Sequence, residues 1–222
     1  MGIIRHVGSV RCTLTVISIL TSLALSGHHA FAYDRSKVVN YAETYWQNYN
    51  PYFFTVPDDC TNFVSQAEWA GGLPMTGYPD QHDAWTWWEN GYGYAPPYGS
   101  ASTSDTWVLT NKFYMYLDAY ASNPLVYDYG RYAYSQYNNQ MYTWANDGLS
   151  LGDMVFYDWT SDGTWDHAAV QVYYGTDTWD SFYYGSLVDA HTSNRHEVIW
   201  TLREFNNDNY ATTTIGLMHV NA

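Results

Sequence analysis

The hydrophobic pattern of this chain changes at Gly152 from a helical period to a strand period. Apolar residues three and four positions apart predict three helices before that point, over residues 34–46, 60–69 and 104–121. Short apolar runs predict strands after it, over residues 154–157, 168–174, 187–190, 197–202 and 215–220. Helices followed by an antiparallel sheet are typical of the α+β class, in which N-terminal helices pack on one small sheet.

The first 32 residues have the composition of a secretory signal peptide. Arg5 and Arg11 flank the start of the leader, residues 14–25 are apolar and uncharged in the main, and small residues surround the Phe before Ala32. The apolar run is shorter than the 20 or so residues that span a bilayer. We therefore expect cleavage after Ala32, leaving one domain over residues 33–222 that is secreted, extracellular and free of the membrane.

The charge of the chain argues against a nucleic-acid partner. It carries 22 acidic and 8 basic side chains, a net charge of −14. The predicted leader holds two of the basic residues and no acidic one, so the mature chain has 6 basic and 22 acidic residues and a charge of −16. Binding to a phosphate backbone needs a basic surface. We expect a monomer whose partner is its substrate.

Only one cysteine, Cys60, remains in the mature chain, because Cys12 lies in the leader. One thiol forms no intramolecular disulfide and no four-cysteine zinc site. The acidic stretch at 158–166 lacks the regular ligand spacing and final Glu of an EF-hand, and its Asp-Gly pair predicts a solvated hairpin loop. The sequence predicts no metal site and no cofactor.

The context of Cys60 is that of a nucleophile or of an ordinary packed side chain, and the residues alone leave both open. A polar loop delivers Cys60 to the first turn of a predicted helix, where unpaired N–H groups and the helix dipole favour a thiolate. A base is then required. His167 begins a predicted strand, and His191 follows the next one, where it can reach the His167 ring. Asp189 lies two residues earlier, on the same strand face as His191.

Five blocks carry a resemblance to a known family. They are DCTNFVSQ at 59–66, the helix start at 104–107, GDMVFY at 152–157, DHAAVQV at 166–172 and AHTSNR at 190–195. In this order they resemble the putative amidase domain family of secreted bacterial proteins, which is similar to the papain-like cysteine hydrolases of the CHAP and NlpC types. The first block is the most specific, and the resemblance covers nearly all of residues 33–222.

The resemblance implies a papain-like fold, with the cysteine helix packed against the sheet. It implies Cys60 as nucleophile and His167 as general base and acid. His191 corresponds to the third polar residue of NlpC-type relatives, and Asp189 is the alternative for that position.

Two further residues of the first block, Asp59 and Asn62, are expected to support the start of the cysteine helix. The implied chemistry is hydrolysis of an amide or peptide bond through a thioester, with cell-wall peptides as a substrate class. The N–H of Cys60 is expected to help hold the oxyanion.

Two alternatives to hydrolysis stay open. The segment at 73–102 is rich in Gly, Pro, Trp and Tyr and predicts a long ordered loop, in which Trp85, Trp87 and Trp88 form either a stacking platform or packed interior. A platform would indicate a non-catalytic module that binds glycans or another wall component. An acyltransferase would use the same cysteine with an amine as acceptor.

Overall fold

The computed structural model describes residues 33–76, 80–90, 103–120, 126–133, 148–206 and 212–221. The helices are α1 (Arg35–Tyr45), α2 (Cys60–Ala70), α3 (Asp105–Val108) and α4 (Thr110–Tyr120). The strands are β1 (Val126–Ala133), β2 (Met154–Asp158), β3 (His167–Thr176), β4 (Tyr184–Ala190), β5 (Arg195–Ile199) and β6 (Thr214–Val220), with a 3₁₀ turn over Arg203–Phe205. The predicted leader, 1–32, and parts of the predicted long loop, 77–79 and 91–102, lie outside the described residues.

The strands form one sheet in the order β1-β6-β2-β3-β4-β5, and every neighbouring pair is antiparallel. Strands β2 to β5 follow one another in the chain and in space, whereas β6 returns to lie between β1 and β2. The α+β prediction is confirmed, since helices α1 to α4 precede this sheet. In the described part of the chain, no helix is both long and apolar enough to cross a bilayer.

The sheet separates two apolar clusters. Along β2, Met154 and Phe156 belong to the cluster that contains the helices, while Val155 and Tyr157 belong to the cluster on the opposite face. This alternation follows from the two-residue period of a strand. The chain after β5 covers the second face with Trp200 and neighbouring apolar residues, so both faces of the sheet are buried.

Helices α1 and α2 begin and end close to the positions that the sequence predicts. The Asp34 carboxylate accepts the Ser36 N–H at 3.0 Å and caps α1. Helix α2 ends at Gly71, and Gly72 turns the chain with a φ of 100°. Gly71 also allows close packing of the two helices, because it contacts Val38 and Tyr33 where a side chain would not fit.

The single helix predicted over 104–121 is wrong, because the chain breaks it at Leu109. Leu109 has extended dihedrals, φ −106° and ψ 116°, and separates α3 from α4. Its side chain is 47% exposed, although helical spacing assigned it to the apolar stripe. The Ser65 hydroxyl donates to the Trp107 carbonyl at 2.9 Å, so a side chain of α2 satisfies this carbonyl at the break. The break turns Thr110 towards the start of α2.

The described part of the aromatic segment packs into the interior more than it faces solvent. Trp87 and Trp88 are buried, whereas Trp85 is exposed. The Trp87 ring lies 4.6 Å from the ring of Trp107 and 5.8 Å from that of Phe113, measured between centroids. Two of the three tryptophans therefore contribute to the core and are not available for stacking on a ligand.

Gly71→Ala should lower the free energy of unfolding by about 1–3 kcal/mol, the usual cost of overpacking an interior. A Cβ at Gly71 would lie 2.2 Å from Cγ2 of Val38, which is fully buried in α1. Urea unfolding followed by tryptophan fluorescence measures the change. In a Val38→Ala background the same substitution should cost less. An equal cost in both backgrounds would show that the α1–α2 contact is not the cause.

Candidate active site

Cys60 is the first residue of α2 and is 5% exposed. The four N–H groups of a first helical turn have no acceptor within the helix. Among the described residues, the Cys60 N–H has no hydrogen-bond acceptor. Together these features place the thiol and a free donor side by side at the positive end of the helix dipole.

Two threonine hydroxyls lie beside the thiol. Thr61 Oγ1 and Thr110 Oγ1 are each 3.7 Å from Cys60 Sγ and 2.6 Å from each other. Thr61 comes from the same turn as Cys60, whereas Thr110 begins α4 after the break at Leu109. Thr110 was not predicted as a site residue, because its position depends on that break.

His167 is the first residue of β3, where it pairs with Tyr157 of β2. Its ring stacks on Trp159, with centroids 5.7 Å apart and planes inclined by 26°. Tyr157 lies against the same ring at 5.6 Å. Strand pairing and aromatic packing therefore fix the imidazole, and the two aromatic neighbours were not predicted from the sequence.

The structure brings Cys60 and His167 to one cavity of about 440 Å³. Burial raises the pKa of the Cys60 thiol, but interaction with His167 and then with the hydroxyls of Thr110 and Thr61 outweighs it and lowers the pKa to about 7. The remaining lining residues are Asp58, Trp159, Asp166, Thr192, Ser193, Arg195, Leu202, Phe205 and Asn206.

His191 occupies a different place from the one expected for it. Its Nδ1 lies 2.7 Å from Asp59 Oδ2, its Nε2 lies 2.7 Å from the Tyr45 carbonyl oxygen, and its ring stacks on Phe63 at 4.2 Å. Both ring nitrogens of His191 therefore have a partner within hydrogen-bond distance, and neither of these partners is His167. The ring is therefore engaged away from His167, and a catalytic role for His191 stays a prediction.

Asp59 and Asn62 join the start of α2 to its surroundings. Asp59 occupies the N-cap position, but its side chain does not cap the helix. Its Oδ1 instead accepts the Asn62 amide at 2.7 Å, while Oδ2 faces His191. The Asn62 oxygen accepts the Trp107 indole N–H at 2.8 Å. The Asp59 carboxylate thus contacts the side chains of Asn62 and His191 instead of a backbone N–H of α2. It supports the start of the helix through these side chains and not as a cap.

Asp189, the alternative third catalytic residue, lies beside a residue of β3 that is three positions after His167. It pairs with Val170 of β3, is fully buried, and accepts the Glu197 N–H at 2.8 Å. Burial and repulsion by Glu43 raise the pKa of Asp189 to about 7, against the effect of the Glu197 N–H. Among the described residues, neither Asp189 nor His191 lines the cavity of Cys60.

The pH dependence of thiol alkylation should report the lowered pKa of Cys60. In the wild type, the iodoacetamide reaction rate should rise with a midpoint near pH 7, because only the thiolate reacts. His167→Ala should move the midpoint upwards, because burial raises the pKa of Cys60 and the largest opposing interaction is then lost. Thr110→Val should move the midpoint less. Peptide mapping by mass spectrometry assigns the label to Cys60. A midpoint near 9 in all three proteins would contradict the arrangement.

His191→Ala should lower the free energy of unfolding by about 1–3 kcal/mol, the usual cost of leaving a buried hydrogen-bonding group without its partner. The side chains of His191 and Asp59 are 4% and 1% exposed. Thermal and urea unfolding measure the loss. His82→Ala is the matched control, because that histidine also faces a carboxylate, Asp105, but is 75% exposed. Equal losses in both variants would show that burial does not increase the contribution of the His191–Asp59 contact to stability.

Comparison with known proteins gives one family and one relative. Residues 32–215 match the model of the family described as putative amidase domain. The uncharacterized protein YhbB of Bacillus subtilis (strain 168) is 29% identical over 143 residues, which cover 64% of this chain and 38% of that protein. No solved structure matches the chain. The description of this family indicates amide hydrolysis in general terms. Because the match covers most of the chain, the protein belongs to the putative amidase domain family.

Proposed function

We propose that this protein is a cysteine hydrolase that cleaves amide or peptide bonds through a thioester on Cys60. The observation that carries the proposal is that Cys60, at the start of α2, and His167, at the start of β3, line one cavity. The pKa of Cys60 supports it, because His167 helps to lower this pKa to about 7 despite burial. A thiol with such a pKa is about half ionised at neutral pH, and thiolate is the nucleophile. The packing of the cysteine helix against an antiparallel sheet that carries the histidine supports the papain-like relationship.

In the first half of the proposed reaction, the Cys60 thiolate attacks the carbonyl carbon of the substrate. The carbonyl π electrons move to the oxygen, and the free N–H of Cys60 stabilises the negative charge there. The tetrahedral intermediate then collapses with cleavage of the C–N bond. His167, as imidazolium, gives its proton to the leaving amine, and the acyl group remains on sulfur as a thioester.

In the second half, neutral His167 removes a proton from water as the water attacks the thioester carbonyl. Collapse of the second tetrahedral intermediate breaks the C–S bond and releases the acid. The thiolate and the imidazolium are thereby restored. Stacking on Trp159 keeps the imidazole oriented through both steps, in the way that a third polar residue does in related sites.

We assign His191 a positioning role in this scheme. Its two ring nitrogens face Asp59 and the Tyr45 carbonyl, so it holds the residue that precedes Cys60. Both ring nitrogens are thus engaged by groups other than His167, which favours positioning over proton transfer in this scheme. Asp189 lies deeper along β4 and has no contact with the reacting groups in this proposal.

The substrate that we propose is a peptide amide, and cell-wall peptides are the first class to test. The predicted leader supports action outside the cell, by a secreted monomer. The cavity carries both charge signs, Arg195 together with Asp58 and Asp166, so the strongly acidic protein presents a mixed surface at its site. Such a lining suits a zwitterionic or peptide group better than a polyanion.

Incubation with peptidoglycan and with a library of small peptide amides, read by mass spectrometry, tests this function. Wild-type protein should release an amine and an acid. Cys60→Ala should abolish release, and His167→Ala should lower its rate by about 10²–10⁴-fold, the usual contribution of a general acid–base group. His82→Ala is the control and should retain full activity. Undiminished hydrolysis by Cys60→Ala would reject the assignment.

Turnover measured with and without a nucleophilic acceptor separates hydrolysis from acyl transfer at the same cysteine. Added hydroxylamine traps a thioester as a hydroxamate, and both enzymes give this product. In buffer alone, a hydrolase turns over repeatedly, whereas a transferase stops after one acylation of Cys60. Detection of a stable acyl-enzyme without product acid would favour the transferase.

A further inference from the structure

A second group of ionisable side chains lies at the edge of the sheet, outside the cavity of Cys60. Glu43 comes from α1, Asp189 from β4 and His196 from the edge strand β5. One donor atom from each of these three side chains lies within 4.8 Å of the other two. Helix α1 and the paired strands β4 and β5 thus bring two carboxylates and an imidazole to one point.

Each of the three side chains is held in place. The His196 ring stacks on Trp46 with centroids 4.7 Å apart, and its Nε2 lies 2.9 Å from Glu43 Oε2. Asp189 is anchored through Oδ1, which accepts the Glu197 N–H at 2.8 Å. The donors are therefore oriented towards one another before any ligand binds.

The second oxygen of Asp189 gives independent evidence for a ligand. Asp189 is 0% exposed, and its Oδ2 has no hydrogen-bond partner among the described residues. A buried carboxylate oxygen without a donor is costly, and a bound cation is one way to satisfy it. The charged groups around Asp189 do not neutralise its carboxylate, because Glu43 and Glu197 are acidic and His196 is the basic side chain among them.

The donor set selects among cations. Calcium and magnesium prefer oxygen ligands alone, whereas zinc and similar transition metals accept an imidazole with carboxylates. Tetrahedral zinc with bonds of about 2.0–2.2 Å places its ligand atoms roughly 3.4 Å apart. The 2.9 Å contact between His196 and Glu43 therefore has to widen only slightly. Their side chains are each 32% exposed, so an ion and a water ligand can enter from solvent.

We propose that Glu43, Asp189 and His196 form a binding site for a divalent transition-metal ion of the zinc type. The ion ties α1 to strands β4 and β5. It supplies a cross-link that a mature chain with one cysteine does not obtain from a disulfide. The turn between β4 and β5 carries Thr192 and Ser193, which line the cavity of Cys60, so the ion also steadies one wall of that cavity.

Zinc titration by calorimetry, after removal of metals with a chelator, tests the site. Cys60→Ala is the reference protein, because the thiol and His167 would otherwise offer zinc a second place to bind. We expect one zinc per chain and a rise of the unfolding temperature on zinc addition, as for any ligand that binds only the folded state. Cobalt, added as a spectroscopic probe, should give visible d–d absorption with the same stoichiometry.

Variants in the Cys60→Ala background assign the ligands. His196→Asn and Glu43→Gln, both at partly exposed positions, should each weaken zinc binding by at least about tenfold and remove most of the thermal shift. His82→Ala should change neither, although His82 also contacts a carboxylate. Absence of saturable binding in the reference protein, or unchanged affinity in both ligand variants, would overturn the proposal. Neither result bears on hydrolysis by Cys60, since the tests use different residues and a different readout.

Discussion

The buried contact between Asp59 and His191 joins the start of α2 to the end of β4, close to the end of α1. Asp59 immediately precedes α2, His191 immediately follows β4, and the His191 ring also reaches the carbonyl of Tyr45, the last residue of α1. Groups buried this deeply are stable only when each has a partner. The contact therefore holds the first turn of α2, with Cys60, at the end of the sheet where β3 begins with His167.

Several buried polar side chains of α2 are paired with Trp and Tyr residues. Helix α2 buries a row of polar residues, and aromatic side chains donate hydrogen bonds to several of them. The indole of Trp107 donates to Asn62, the indole of Trp87 donates to Ser65, and the Tyr33 hydroxyl donates to Glu68 at 2.6 Å. The side chains of Trp and Tyr both fill space and carry a hydrogen-bond donor at the rim, so they suit a helix whose polar side chains are buried. Burial raises the pKa of Glu68 to about 8, even though the Tyr33 hydrogen bond opposes the change.

Local pattern predicted those elements that depend on local forces. The helices that begin at Arg35 and Cys60 have their expected ends because a cap at Asp34 and the glycines after Ala70 act within a few residues. The hairpin between β2 and β3 turns at Gly163, which has a φ of 89°. The helix break at Leu109 was missed because helical periodicity continues through it. A residue distant in sequence, Ser65, satisfies the Trp107 carbonyl beside the break.

The site was predictable in its first two residues and not in its surroundings. Cys60 and His167 stood out because each begins a regular element, where a side chain is both held and accessible to a cleft. The partner of His191 could not be predicted from the sequence, because strand alternation gives the face on which a residue lies but not the group packed against that face. Thr110 and Trp159 reach the site only through the helix break and through a loop that folds back on β3.

Composition and periodicity act over short distances, and they were enough to predict the α+β class and the position of Cys60 at a helix start. Tertiary structure alone decided which groups meet. It placed His167 close enough to lower the pKa of Cys60, turned His191 towards Asp59, and gathered Glu43, Asp189 and His196 at the sheet edge. Such meetings depend on strand order, register and helix packing, which no local pattern encodes.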